Sequence, residues 1–242
     1  MRIISGRFRS RRLHAPRDAS TTRPIPDRVK ESLYNLLRGH IEDAVLLDCF
    51  AGTGSFGLEA LSRGASRCYF VERDRAIANL LERNIAELRV EDECEVIVGD
   101  ALGPATLLRC PDQIDLIFMD PPYPLARDEE GWGRIRTQAS RLVERLSDDG
   151  YLMIRTPYPL LHIVEPHPQP DDPDEPENLH IEISIDSPDD LDEAMDEPFA
   201  KLFGAAVGKP EFIDVDMDIA GADGPETREY GTMAVHLYVR SR

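Results

Sequence analysis

From Ala44 onward, apolar runs and helix-like stretches alternate along the chain. AVLLDCF (44–50), RCYFVE (67–72), CEVIVG (94–99), IDLIFMD (114–120) and GYLMIRT (150–156) read as strands. Between them, SFGLEALSRG (55–64), RDRAIANLLERNIAEL (73–88), a short segment around Leu102 to Leu108 and a stretch within Trp132 to Leu146 carry helical spacing. The β-runs are continuously apolar rather than alternating with polar residues, which is the signature of strands covered on both faces. Five such runs separated by helices predict an α/β fold: an open, mostly parallel sheet with helices on both faces.

The flanks differ in character. Residues 1–24 read as a basic extension: a short strand over Arg2 to Ser5, a basic turn, a second strand around Arg12 to His14 and a Pro-rich lead-in. Pro24 and Pro26 introduce a helix in which Val29, Leu33, Leu36 and Leu37 form an apolar stripe, with Gly39 marking its stop. The main domain is expected over 25–242. Beyond Pro159 the periodicity degrades into PHPQPDDPDEPENLH (166–180), too polar and Pro-rich to order itself cheaply and expected as a loop. Ile181, Ile183 and Ile185 alternate as in a strand, Leu191 to Phe203 suits an acidic helix, and TMAVHLYVR (232–240) is the final strand. These features predict an acidic insertion at about 165–226 within the antiparallel edge of the sheet.

Composition refines this picture. With 242 residues and 41% hydrophobic content, the chain can bury one sizeable α/β core plus an appendage. The first residues hold no apolar run between their arginines, so neither a signal peptide nor a membrane anchor is expected and the expected compartment is the cytosol. Cys49, Cys68, Cys94 and Cys110 are far apart in sequence and read as reduced core thiols. His162, His167, His180 and His236 show no ligand spacing, so no metal is expected. A net charge of −18 argues against a nucleic-acid partner, but its distribution reverses that inference. Residues 1–38 hold 10 Lys and Arg against 3 acids, whereas 159–226 hold 20 acids against 2 lysines. Arg7, Arg9, Arg11 and Arg12 are therefore candidate contacts to nucleic-acid phosphates.

The chemistry-bearing residues fall at predicted strand ends, where open α/β sheets place their ligands. Gly52, Gly54 and Gly57 match a dinucleotide-binding glycine pattern between a strand and a helix. Asp48 tilts that choice, because a carboxylate there suits the ammonium group of a methionine moiety and would repel a pyrophosphate. Glu72, ending the second strand, is placed to accept ribose hydroxyls; Asp100 and the N–H of Ala101 are placed to meet an adenine amino group and ring nitrogen. The fourth strand runs into Asp120, Pro121, Pro122 and Tyr123. Two prolines fix this turn and remove two donors, leaving a stiff, acceptor-rich loop. An exocyclic base amine that donates to the Asp120 carboxylate and the Pro121 carbonyl would have its delocalised lone pair oriented for attack. Tyr123 is placed to stack on a base flipped out of its helix. Several readings stay open at this point: a methyltransferase acting on an exocyclic base amine, whether of guanine (N2) or of adenine (N6) in DNA or RNA, a non-catalytic RNA-binding ribosome assembly factor and, more remotely, a nicotinamide dehydrogenase.

Asp48-Cys-Phe-Ala-Gly-Thr-Gly54, Glu72, Asp100 and Asp120-Pro-Pro-Tyr123 resemble the sequential motifs of class I, Rossmann-like methyltransferases. RIISGRFRSRRL (2–13), TRPIPDRVKESLYNLL (22–37), FAGTGSFGLEALSRGAS (50–66) and REYGTMAVHLYVR (228–240) resemble the RsmD family of bacterial 16S rRNA guanine-N2 methyltransferases. The resemblance implies a Rossmann-like fold with a mostly parallel seven-stranded sheet, S-adenosylmethionine as cofactor, and methyl transfer to a guanine N2 of ribosomal RNA or the small ribosomal subunit, with no membrane partner; a monomer is the expected state. It also implies that Arg23 lies beside the cofactor carboxylate, that Phe50, Ala51, Thr53 and Arg73 join Asp48, Gly52, Gly54, Glu72, Asp100, Ala101 and Asp120 around the cofactor, and that Arg28 and Lys30 contact RNA phosphates. The acidic segment departs from the family's compact pattern, which supplies no role for it.

Overall fold

The computed structural model describes residues 1–16, 25–164 and 211–242. Its main sheet has seven strands: β1 (Val45–Cys49), β2 (Arg67–Glu72), β3 (Cys94–Val98), β4 (Ile114–Met119), β5 (Leu146–Pro157), β8 (Ala222–Glu229) and β9 (Met233–Arg240), in the order β3-β2-β1-β4-β5-β9-β8. Strands β1 to β5 pair in parallel, and β9 runs antiparallel to both β5 and β8. Two further strands, β6 (Leu161–Val164) and β7 (Glu211–Asp214), form a separate antiparallel pair.

Strand periodicity divides the core into two layers. Leu46, Phe70, Leu116, Phe118 and Met153 point to one face and their chain neighbours Leu47, Val71, Ile117, Met119, Leu152 and Ile154 to the other. On the first face lie helices α1 (Asp27–Leu36), α2 (Gly57–Ser62) and α3 (Arg75–Leu88), the last capped by Asp74, whose side chain accepts from the N–H groups of Ala76 and Ile77. On the second lie α4 (Pro104–Arg109), α5 (Tyr123–Arg127) and α6 (Glu129–Val143), with Trp132, Ile135, Ala139 and Leu142 of α6 buried. The α/β architecture with helices on both faces is therefore as the hydrophobic pattern predicted.

Four details differ. The two N-terminal strands reduce to a single bridge, Arg2 to Arg12, within a hairpin whose Ile3 and Leu13 enter the main core. On α1, Leu36 is exposed while Lys30 and Tyr34 are buried, because the helix is covered by the hairpin and α2 on the side the apolar stripe does not reach. Helix α6 begins three residues before Trp132, at Glu129, where Asp128 accepts from Gly131 N–H. Residues 211–226, the far end of the expected insertion, supply β7 and the start of β8, with Ile219 buried between them; the expected elements at 181–185 and 191–203 lie outside the described residues.

All six residues of α2 are buried, including Glu59 and Ser62. The Glu59 carboxylate accepts from Ile4 N–H at 2.7 Å, Ser5 N–H at 3.0 Å and Arg63 Nε at 2.8 Å, and lies 3.5 Å from Lys30 Nζ. Ser62 accepts from Arg7 N–H at its carbonyl and from Phe8 N–H at its hydroxyl. Gly6, at φ +79°, permits this approach, since a Cβ there would sit 1.7 Å from the Ser62 carbonyl oxygen. The hairpin is thus the outer wall of the domain, held through a charge that water cannot reach. Burial pulls the Lys30 pKa down, and Glu59 opposes that pull.

The same logic governs His236 on β9, buried between the hydroxyls of Thr156 and Thr227, each 2.9 Å from a ring nitrogen. Desolvation lowers its pKa to about 4 from 6.5. The folded state therefore refuses a proton that the unfolded chain accepts, so stability is full above pH 6.5 and falls as the pH drops toward 4. Two outcomes are expected. Glu59→Ala, which strands Lys30 and two hairpin amides, should lower unfolding free energy in urea by about 3–5 kcal/mol; a loss below about 1 kcal/mol would contradict the latch. Wild type should lose on the order of 3 kcal/mol more than His236→Gln between pH 7.5 and 4.5, and identical pH dependence of the two proteins would refute the assignment.

Candidate active site at the carboxyl edge of the sheet

Every described residue predicted around the cofactor or the reacting amine lies at the C-terminal end of one of four adjacent parallel strands, β3, β2, β1 and β4, or in the turn that follows it. Arg23 lies outside the described residues.

The glycine segment leaves β1 through Phe50, a non-glycine residue held at φ +62°. That left-handed conformation is unfavourable for an aromatic residue and persists because the flanks are pinned. Ala51 N–H donates to Val71 O at 2.9 Å, and Gly52 N–H donates to Glu72 Oε2 at 2.9 Å. The three glycines have different roles. A Cβ on Gly54 would meet Leu81 at 2.4 Å and one on Gly57 would meet Cys68 and Phe70 at 2.4 Å, so both exist for packing of α2 and α3. Gly52, at φ +55°, faces open space with no atom within 4 Å of an added Cβ. Open volume over a left-handed glycine is the cradle expected for a closely approaching nucleoside. Thr53 is buried; its carbonyl accepts from Asn84 Nδ2 at 2.9 Å.

Three carboxylates surround this loop. Asp48, buried on β1, turns inward and accepts from the N–H of Gly57, the first residue of α2, at 2.9 Å. Burial, opposed by that hydrogen bond and aided by the charges of Asp120 and Glu72, raises its pKa to about 8. Its visible work is to shape the loop; the sequence pattern alone assigned it to a ligand ammonium. Glu72 is tied at both oxygens, Oε2 by Gly52 N–H and Oε1 by Asp74 N–H at 2.8 Å. Each oxygen keeps a lone pair to offer a diol, and the side chain is fixed in place for it. Arg73 beside it is exposed. At the end of β3, Asp100 is half-exposed, accepting from Leu102 N–H and pairing with Arg134 of α6 at 3.0 Å, while the Ala101 carbonyl accepts from the buried Gln138 Nε2 at 3.0 Å.

The β4 turn completes the edge. Asp120 N–H reaches toward Cys49 O at 3.5 Å, which sets the turn against the start of the glycine segment. Pro121 is buried, Pro122 is exposed with φ −54°, and Tyr123 opens α5 half-buried. Asp120 is 20% exposed, and its Oδ1 accepts from Arg155 Nε at 2.6 Å. Burial raises the Asp120 pKa, while the guanidinium beside it works in the opposite sense. Arg155 belongs to β5, is 6% exposed, and its guanidinium carbon lies 5.5 Å from the Tyr123 ring centroid. Sequence reasoning missed this residue; its only signal is a charge inside the apolar run GYLMIRT. Arg134 and Gln138 had no signal beyond lying on one helix.

The basic residues separate into two groups. Arg7, Arg9, Arg11 and Arg12 are exposed on the hairpin, with Arg7 paired to Glu93 and Arg11 donating to Glu87 O at 3.1 Å; Arg28 is exposed on α1. Lys30 corrects the sequence expectation: at 1% exposure, donating to Arg2 O at 3.1 Å and Ser55 Oγ at 3.1 Å, it serves the interior and cannot meet a phosphate. The four cysteines are free thiols, with Cys49, Cys68 and Cys110 buried. No helix among the described residues is long and apolar enough to cross a membrane.

Comparisons with known proteins agree with this geometry. The model of a family described as Conserved hypothetical protein 95 matches residues 1–158. Ribosomal RNA small subunit methyltransferase D of Escherichia coli K12 is 42% identical over 123 residues, spanning 51% of this chain and 60% of that protein. The protein of the same name from Haemophilus influenzae is 40% identical over 124 residues, spanning 51% of this chain and 64% of that one. The chain thus matches somewhat under two thirds of the length of these relatives. Among solved structures, a putative methyltransferase, yhhF, from Escherichia coli superposes over 100% of this chain and 98% of its own with a TM-score of 0.60 at 26% identity. The strand order, the edge-lining motifs and the match over 1–158 together establish that the chain belongs to the Conserved hypothetical protein 95 family and has the Rossmann-like fold of class I methyltransferases.

Proposed function

We propose that the protein is an S-adenosylmethionine-dependent methyltransferase acting, as a monomer, on the exocyclic N2 amine of a guanine in 16S ribosomal RNA or the small ribosomal subunit. The observation that carries this reading is the position of Asp120: a nearly enclosed carboxylate on a proline-fixed turn, beside the strand from which the glycine cradle departs. The names of the related proteins from Escherichia coli and Haemophilus influenzae support the ribosomal RNA substrate.

The residues present suit the cofactor. The open space over Gly52 takes the nucleoside, Glu72 accepts the ribose hydroxyls, and Asp100 with the Ala101 N–H receives the adenine edge. When bound, S-adenosylmethionine supplies an electrophilic methyl group. Toward the base, Asp120 Oδ1 is committed to Arg155, which leaves Oδ2 and the Pro121 carbonyl to accept the two amine N–H bonds. Holding both N–H bonds in one plane rotates the nitrogen lone pair toward the glycine cradle, an entropic and orientational contribution rather than a covalent one. The amine loses one proton as it gains carbon, and Asp120 is the adjacent acceptor for it. Tyr123, at the mouth of the turn, stacks on the base that must leave its helix to reach this depth. Exposed Arg7, Arg9, Arg11, Arg12 and Arg28 give phosphates a basic margin despite the acidic whole.

Two expected outcomes test the proposal. With small subunits from a strain lacking the family's enzyme as substrate, Asp120→Ala should reduce methyl transfer by at least about 100-fold while leaving S-adenosylmethionine affinity within about threefold; full activity would remove the mechanism. Mass spectrometry of the product should show N2-methylguanosine, and N6-methyladenosine instead would redirect the assignment. Separately, Gly52→Val should weaken cofactor binding by about 10-fold or more in calorimetry, by filling the cradle and straining a left-handed residue. Unchanged affinity would displace the nucleoside from that space.

A further inference from the structure

Resting on that reading, we infer that Arg155 is the positioning residue of the reaction: from β5 it holds Asp120 and Tyr123 in one arrangement and fixes which oxygen of Asp120 receives the amine.

The geometry supports this independently of any relative. Arg155 sits at the C-terminal part of β5, next to β4, whose last residue, Met119, precedes Asp120 and is registered with Ile154. Its Nε lies 2.6 Å from Asp120 Oδ1, a short charge-assisted bond, and the same guanidinium lies over the Tyr123 ring. It also meets the sulfur of Met233 on β9, 3.8 Å from Nη1. One cation therefore touches the acceptor and the stacking residue while anchored in the sheet. At 6% exposure it is shielded from the solvent that would otherwise weaken the pair.

The charges facing Asp120 decide its state. On β1, the next strand, stands Asp48, which burial holds toward its neutral form with a pKa of about 8, the charges of Asp120 and of Glu72 on β2 adding to that rise. The turn itself contributes two prolines and Tyr123, and β5 contributes Arg155. Burial favours a protonated Asp120, which would present a hydroxyl donor to an amine that needs an acceptor. Arg155 is the one of these groups that favours the carboxylate. Its charge thus keeps Asp120 an acceptor, and its fixed Nε engages Oδ1 so that Oδ2 faces the amine.

The test is the pH–rate profile of single-turnover methyl transfer to small subunits for wild type, Arg155→Met, Arg155→Gln and Arg155→Lys. Removing the charge should cut the rate about 100-fold near neutral pH and move the acid limb upward by about one to three pH units, with much of the lost rate recovered at high pH. Arg155→Lys, which restores charge but not the planar contact, should return the acid limb toward wild type while keeping part of the rate deficit. S-adenosylmethionine affinity measured on each variant reports that the cofactor site is intact, and it should be unchanged. Should Arg155→Met fail to fold, the limbs of Arg155→Gln and Arg155→Lys carry the same decision. An acid limb at the same pH in the neutral variants overturns the inference even if their rate falls, since a purely structural residue would lower the rate without moving it. A wild type that methylates nothing would instead overturn the proposed function.

Discussion

The buried carboxylate of Glu59 is the constraint on which the N-terminal half of the domain rests. Helix α2 is enclosed on all sides, between the sheet below and the hairpin above, and a helix so placed normally carries no charge. Two cations and two hairpin amides surround the Glu59 carboxylate. Such a pair gains little against an apolar alternative, since desolvating both partners offsets their attraction, but it tolerates only one arrangement of its parts. The result is directional: the hairpin docks in a single pose, and Lys30 passes that pose on to Ser55 in the segment that follows the glycine cradle.

A second link makes the coupling double. Asn84, buried on α3, donates to Thr53 O and to His14 O and accepts from His14 N–H. The hairpin that presents the exposed arginines and the loop that forms the cradle are therefore bonded through the same two interior side chains, one on each side. The arginine-bearing surface and the loop over Gly52 thus share one hydrogen-bonded frame, as the proposed methyl transfer to an RNA base would require. Net charge says nothing about this; the acidic residues that dominate the total lie largely elsewhere in the chain.

The edge itself shows how carboxylates are assigned different tasks by their surroundings. Asp48 is enclosed, bonded to a backbone amide and pushed toward its neutral form. Glu72 is tied at both oxygens to main-chain N–H groups and serves as a fixed acceptor. Asp120 meets a guanidinium and stays near the opening. Three acids on three adjacent strands thus stand in three different settings, facing a helix amide, two turn amides and a guanidinium, and the donor each one faces sets what it can do.

The sequence by itself determined the layered fold and the strand ends at which the site is built, because continuous apolar runs force two-sided burial and because ligands of open sheets gather where parallel strands stop. AVLLDCF, RCYFVE and IDLIFMD announce both their burial and their terminal acids. The motif residues 48–54, 72, 100–101 and 120–123 were legible for the same reason: local order along the chain fixes them to strand ends whatever the packing around them. What only the tertiary structure decided is which charges face one another. Lys30 looks like a surface cation in sequence and is an interior latch; Arg155 looks like an interruption of a strand and is the partner of Asp120. Glu59 is 29 residues from Lys30, and Asp120 is 35 residues from Arg155. No periodicity encodes pairings at such separations, since they arise from sheet order and helix docking, and the electrostatics of a buried group depends on neighbours that only the closed fold supplies.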